Sequence, residues 1–248
     1  MEAVVFDVDG TLVDSERHGH RVAFNMAFEA FGLPYRWDEL EYGRLLRTTG
    51  GQRRIDGYLA AQGVEEGERA ELAPALHARK TAITNDLIAA GRIQPRPGVE
   101  RLLAELSAAG VRLAVATTGS RAWVEQVLAT SLGDFAFEVV VTGEEVATRK
   151  PDPEAFTAAL RRLGLPAAAA VGVEDSAEGL ESAKGAGLAC VVVANGYTVD
   201  HDLGAADLVL DGFGELSQPA TVLADPVGSG CAGVLNVATL RRVWAEAS

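Results

Sequence analysis

Along the chain, short and nearly continuous apolar runs rich in β-branched residues alternate with longer stretches whose apolar positions recur at helical spacing. The short runs predict strands over Ala3 to Phe6, Arg112 to Thr117, Glu138 to Thr142, Ala169 to Val173, Ala189 to Val193 and Leu208 to Leu210. Runs apolar throughout suit strands covered on both faces, and their alternation with helices is the signature of a parallel sheet. Helices are predicted over Val99 to Ala109, Ser120 to Thr130, Pro153 to Leu163 and Ala177 to Ala186. Asp152 can cap the third of these with Pro153 in its first turn, while Gly110, Gly164 and Gly187 punctuate helix ends. The expected core is α/β, a Rossmann-like parallel sheet.

From about Asp14 to Arg92 the rhythm changes to helical periodicity alone, broken at Gly32-Leu33-Pro34 and Gly63-Val64. The expected organisation is a core domain of residues 1–13 and 93–217, with a helical cap of residues 14–92 inserted after the first strand. Pro95-Arg96-Pro97-Gly98 is a stiff connector back to the sheet, suited to a hinge for a lid. Residues 218–248 read as a linker and an amphipathic helix over Gly233 to Ala245, which packs on its own domain or serves self-association.

Size and charge narrow the function. A chain of 248 residues with 48% hydrophobic content buries one sizeable core and a smaller second lobe. A formal net charge of −13 repels polyanions, so nucleic acid and anionic membranes are not expected partners, and an anionic substrate needs a local basic pocket. Cys190 and Cys231, with no charged-then-apolar leader and no run long enough to span a bilayer, point to a cytoplasmic protein with reduced thiols. A monomer is expected, with a dimer as the alternative.

The chemistry lies at predicted strand ends, where an open α/β sheet binds its ligands. Asp7 and Asp9 follow the wholly apolar Ala3-Val4-Val5-Phe6, and Glu174-Asp175 follow Ala170-Val171-Gly172-Val173. Carboxylates so placed are costly unless a cation or donors compensate them. Oxygen ligands with no His/Cys cluster suit Mg2+ better than zinc. After Ala114-Val115-Ala116, the hydroxyl of Thr117 and the amides of Thr118, Gly119 and Ser120 can hold phosphoryl oxygens. Lys150, in Arg149-Lys150-Pro151-Asp152-Pro153, can neutralise both an attacking carboxylate and phosphate charge.

These four segments together resemble the motifs of the haloacid dehalogenase superfamily: Asp7-Val8-Asp9-Gly10-Thr11, Thr117, Lys150 before proline, and Glu174-Asp175-Ser176-Ala177-Glu178-Gly179. The resemblance implies a phosphotransferase in which Asp7 is the nucleophile forming a phosphoaspartate and Asp9 protonates the leaving oxygen, then activates water. It implies Mg2+ held by the Asp7 carboxylate, the Asp9 main-chain carbonyl and Asp175, with Glu174 supporting or joining them. A dehalogenase is disfavoured because Asp9 is present, and a phosphonatase because no cap lysine is clearly placed for Schiff-base chemistry.

The cap bears on substrate. Arg44, Arg47, Arg53 and Arg54 fall between Tyr42 and Ile55 with no acidic residue among them, an anion-seeking stretch in an acidic chain. Within it Thr48-Thr49-Gly50-Gly51-Gln52 lets backbone amides approach a ligand. On residue type alone, His18 and His20 read as surface or packing histidines and Lys80 as solvated, with a second lid cation as its alternative. The runs Asp14 to Asn25, Tyr42-Gly43-Arg44-Leu45-Leu46 and Thr49-Gly50-Gly51 are similar to the cap of the CbbY-type subfamily, and that similarity extends to about Leu216. It implies a sugar-phosphate substrate, with xylulose 1,5-bisphosphate the narrowest expectation, contacted by Glu16, His20, Tyr42 and Arg54; the charge and glycine pattern adds Arg44, Arg47 and Gly51 as candidate substrate contacts. The subfamily commonly has Gly-Gly-Lys where Gly50-Gly51-Gln52 stands here, which weakens the case for a second phosphate unless Arg53 or Arg54 substitutes. A β-phosphoglucomutase-like mutase shares the core motifs and only cap detail leans against it. A non-catalytic phospho-sugar sensor is the alternative from another class, and it has no need of both a nucleophile and an acid.

Overall fold

The computed structural model describes residues 1–48 and 50–247. These fall into two compact units, residues 15–93 and residues 1–14 with 94–248. Among the described residues no helix is long and apolar enough to cross a membrane.

The unit of residues 15–93 is helical. A π-helical turn, Glu16–His20, runs into α1 (Arg21–Ala30), followed by α2 (Glu39–Leu45), α3 (Gly51–Ala61) and α4 (Glu66–Ala89). The breaks read at Gly32-Leu33-Pro34 and Gly63-Val64 lie between helices. Asp38 caps α2 by accepting from the Glu41 amide at 2.7 Å. An aromatic cluster forms the centre: the Trp37 ring lies 4.8 Å from Phe24, 4.9 Å from Phe28 and 5.2 Å from Tyr58. The Asn25 amide pins Trp37 from both sides, donating to its carbonyl at 2.9 Å and accepting from its N–H at 2.8 Å.

The other unit carries a seven-stranded sheet of β1 (Ala3–Phe6), β2 (Arg112–Ala116), β3 (Phe137–Val141), β4 (Ala170–Glu174), β5 (Ala189–Val193), β6 (Leu208–Leu210) and β7 (Val222–Ala224). Their order is β3-β2-β1-β4-β5-β6-β7; all are parallel except β7, which runs antiparallel to β6. The chain runs outward from β1 to β3 on one side and returns through β4 on the other, so the carboxyl ends of β1 and β4 flank a topological switch point. Helices α5 (Val99–Ala108), α6 (Arg121–Ser131), α7 (Glu154–Leu163) and α8 (Ala177–Gly185) connect the strands. The apolar face of α7, with Phe156 wholly buried, joins the core cluster beside β1 to β5.

The stretch from Gln218 contains the helix read over Gly233 to Ala245, and within the part read as a linker it adds a strand. It supplies β7 and α9 (Val237–Glu246), and both belong to the sheet unit. Asn236 caps α9 by accepting from the Thr239 amide at 2.9 Å, Leu240 and Val243 are buried, and the Trp244 indole donates to the Ala168 carbonyl at 2.6 Å. The three residues of β7 are half-buried or exposed, so they carry no periodicity to read.

Candidate active site

Strand register assembles the core motifs. Phe6 of β1 lies opposite Val115 of β2 and Val173 of β4, so Asp7, Thr117 and Glu174-Asp175 emerge at one sheet edge. The Asp7 amide donates to the Val173 carbonyl at 3.0 Å, and the Thr117 amide donates to Val141 at 3.0 Å, so both residues are fixed by one more ladder bond past their strands. Asp9 sits half-buried in a tight loop closed by bonds from Gly10 N to Val13 O at 2.8 Å and from Val13 N to Val8 O at 3.1 Å.

Lys150 reaches into this edge. Its ammonium donates to Asp7 Oδ1 at 2.7 Å and Glu174 Oε1 at 2.5 Å and lies 4.9 Å from the Phe156 ring centre. The side chain is 6% exposed and Glu174 1%, so the pairing takes place out of water. Burial alone would depress the lysine; the Asp7 and Glu174 carboxylates outweigh it and hold the ammonium above its ordinary value. Burial pushes the Glu174 carboxyl up to about 7 against the pull of Lys150, and burial with the like charges of Glu174 and Asp7 raises Asp175 well above the usual carboxylate range. Three buried carboxylates thus face the adjacent Lys150 ammonium and the more distant Arg96 guanidinium, which leaves negative charge for a cation to neutralise.

That charge has the form of a metal site. One oxygen from each of Asp7, Glu174 and Asp175 lies within 4.8 Å of the others. An all-oxygen set with few protein ligands fits Mg2+, which keeps positions for water and phosphate oxygen. Two glycines make room for it. A Cβ at Gly179 would overlap the Glu174 carboxylate, and one at Gly10, where φ is +82°, would collide with Asp175.

Opposite these acids, the buried Thr117 hydroxyl accepts from the Gly119 amide at 3.2 Å, and half-buried Thr118 and Gly119 lead into the start of α6. Anion-binding donors and a cation-binding cluster therefore stand at the ends of neighbouring strands.

Within the helical unit a second polar cluster forms. The Tyr42 hydroxyl donates to Glu16 Oε2 at 2.5 Å, and Arg54, 9% exposed, donates to the same hydroxyl at 3.3 Å and to the Leu45 carbonyl at 3.0 Å. Its guanidinium lies 5.4 Å from the Tyr42 ring centre and 5.9 Å from that of Phe24. Lys80, read from the sequence as solvated, is instead buried: it donates to His20 Nδ1 at 3.1 Å and sits 5.0 Å from the Phe24 ring centre. Burial, then Lys80, depresses His20 to about 4, which keeps it a neutral acceptor near neutral pH. Gly51 faces His77, whose imidazole a Cβ there would crowd. Arg44, Arg47 and Arg53 do not join the cluster: all three are exposed, and Arg44 pairs with Glu41 at 3.6 Å. Thr49 lies outside the described residues.

Two residues of the sheet unit escaped the sequence reading. Asn195, just past β5, donates from Nδ2 to Asp175 Oδ2 at 2.7 Å, and buried Arg96 donates to the carbonyls of Gly10, Val193 and Ala194 at 2.5, 2.6 and 2.7 Å. The strand-end rule that marks Asp175 would also mark Asn195; Arg96, inside the proline-rich connector, gave no such signal.

Residues 1–187 match the haloacid dehalogenase-like hydrolase family. The chain is 46% identical over 220 residues to Protein CbbY of Cereibacter sphaeroides, covering 87% of this chain and 94% of that one. It is 31% identical over 233 residues to a phosphorylated carbohydrates phosphatase of Thermotoga maritima, covering 90% and 97%. A crystal structure of a CbbY variant from Rhodobacter sphaeroides in complex with xylulose-(1,5)bisphosphate superimposes with a TM-score of 0.72 at 44% identity, covering 87% of this chain and 96% of that one. The chain belongs to the haloacid dehalogenase-like hydrolases, as a CbbY-like phosphoric monoester hydrolase.

Proposed function

We propose that the protein is a magnesium-dependent phosphatase that hydrolyses a phosphorylated sugar through a phosphoaspartate at Asp7. The observation that carries this reading is the Lys150 ammonium bonded to Asp7 at 2.7 Å beside the Asp7, Glu174 and Asp175 oxygens. A carboxylate is a weak nucleophile toward a dianionic phosphate, and Lys150 lowers the repulsion between them. Asp7 attacks phosphorus and the bond to the sugar oxygen breaks, while Asp9 gives its proton to that oxygen. Asp9 then takes a proton from water as the water attacks the phosphoaspartate, releasing phosphate and restoring Asp7. Thr117 and the amides of Thr118 and Gly119 hold the phosphoryl oxygens. Asp7, Asp175 and the Asp9 carbonyl, with Glu174 supporting or joining them, would hold Mg2+, which would supply charge neutralisation for the phosphoryl group.

The sugar is recognised by the cap residues Glu16, His20, Tyr42 and Arg54, with Arg44, Arg47 and Gly51 contributing to phosphate or hydroxyl contacts. Xylulose 1,5-bisphosphate is the narrowest substrate we infer, supported by the ligand in the related crystal structure. Arg53, exposed beside Gln52, supplies the charge that lysine gives elsewhere in the subfamily.

A phosphate-release screen over sugar mono- and bisphosphates, with Mg2+ and with chelator, tests the proposal. Expected are Mg2+-dependent release from a phosphorylated sugar and complete loss in Asp7→Asn. Activity surviving Asp7→Asn would sink the mechanism, and isomerised sugar phosphate without free phosphate would make the enzyme a mutase.

A further inference from the structure

Asp175 is the least compensated of the three acids. Lys150 bonds Asp7 and Glu174, whereas among the described residues Asp175 is hydrogen-bonded only by neutral side chains, the Thr11 hydroxyl at a long 3.5 Å and the Asn195 amide at 2.7 Å, with the Arg96 guanidinium acting on it from further away. A buried carboxylate with two like charges nearby is repelled by them, and turning away removes it as a cation ligand. Asn195 holds it in place.

The amide is itself fixed. Asn195 Oδ1 accepts from the Tyr197 amide at 2.8 Å, so the end facing Asp175 is the donating Nδ2. The Asn195 backbone N–H donates to the Thr198 hydroxyl at 3.0 Å, closing the turn beneath it. Arg96 grips the two carbonyls just before Asn195, those of Val193 and Ala194, along with Gly10 of the Asp7–Thr11 loop. The turn bearing Asn195 and the loop bearing Asp9 are thereby tied to one guanidinium, and Nδ2 approaches the same Gly10 carbonyl at 3.4 Å. A neutral donor orients Asp175 without cancelling its charge, as a lysine in its place would.

We propose that Asn195 is a positioning residue that presets the Asp175 carboxylate for Mg2+, on a backbone that Arg96 locks to the Asp7–Thr11 loop. The inference rests on Asp175 being a metal ligand, and its test separates the two ideas. Mg2+ binding to the substrate-free protein is measured by calorimetry for wild type, Asn195→Ala, Asn195→Ser and Asp175→Asn, with the melting temperature of each taken in EDTA. Serine keeps a side-chain oxygen for the Tyr197 amide but cannot reach Asp175, so it preserves the turn while removing the contact. Loss of an outer hydrogen bond to a ligand typically costs about 10- to 100-fold in metal affinity, and a rise of that size in the Mg2+ Kd is expected for both Asn195 variants. Wild-type Mg2+ affinity in Asn195→Ser overturns the inference, whatever Asn195→Ala does. So does a loss of affinity matched by an equal loss of metal-free stability, which would make the residue merely structural. Unchanged Mg2+ binding in Asp175→Asn would instead remove the metal-ligand reading beneath it.

Discussion

Replacing Lys150 by methionine keeps a long, flexible side chain over Phe156 but removes the ammonium bonded to Asp7 and Glu174. Deleting one partner of a buried pair costs about 3–5 kcal/mol, because the other charges stay buried without compensation. Here the cost should depend on pH. In the metal-free wild type the Glu174 carboxyl is pushed up to about 7, chiefly by burial. Between the ordinary glutamate value and 7 the folded state holds a proton the unfolded chain has released, so stability falls as pH rises and levels off above 7. Without Lys150 the Glu174 value moves higher still, and the fall continues beyond pH 7 at up to about 1.4 kcal/mol per pH unit. The lysine, held above its ordinary value, does not titrate in this range. Urea unfolding in EDTA at pH 6 and pH 8, followed by circular dichroism, should therefore show Lys150→Met destabilised at both and distinctly more at pH 8. Equal losses at the two pH values, or no loss at pH 8, would refute the electrostatic account of this cluster.

Further outcomes follow from single features. Gly179→Ala, which in an ordinary helix would gain stability, should instead cost about 1–3 kcal/mol because its Cβ meets the Glu174 carboxylate, and thermal melting with and without Mg2+ would register both the loss and a higher Mg2+ requirement. If Arg54 contacts the sugar phosphate as proposed, Arg54→Ala removes a charge-assisted bond to it worth about 1.5–3 kcal/mol, so KM for the sugar phosphate should rise about 10- to 100-fold while turnover of p-nitrophenyl phosphate is largely kept. Ending the chain before Val237 uncovers the sites of buried Leu240 and Val243 and should lower stability by about 3–6 kcal/mol; an unshifted melting midpoint would contradict the packing of α9 on the sheet unit.

The sequence by itself determined the sheet and the carboxylate edge, because both are local signals. A strand apolar on both faces is buried in any arrangement, and acids directly after it have no structural purpose without a cation; Asp7 and Glu174-Asp175 were legible on that ground. Helix breaks such as Gly32-Leu33-Pro34 were legible for the same reason, since they act through the backbone of a few neighbouring residues. What only the tertiary structure decided were the partnerships between distant residues. Lys80 looks like any helical surface lysine until folding sets it against His20 and Phe24, and β7 exists only because β6 offers it an edge. Asn195 is one more turn residue until it meets Asp175, 20 positions away, and Arg96 has no visible task until carbonyls from two separate stretches converge on it. Apolar burial and local backbone preference are written in short windows of sequence, whereas compensation of a buried polar group depends on which distant segments the fold brings beside it.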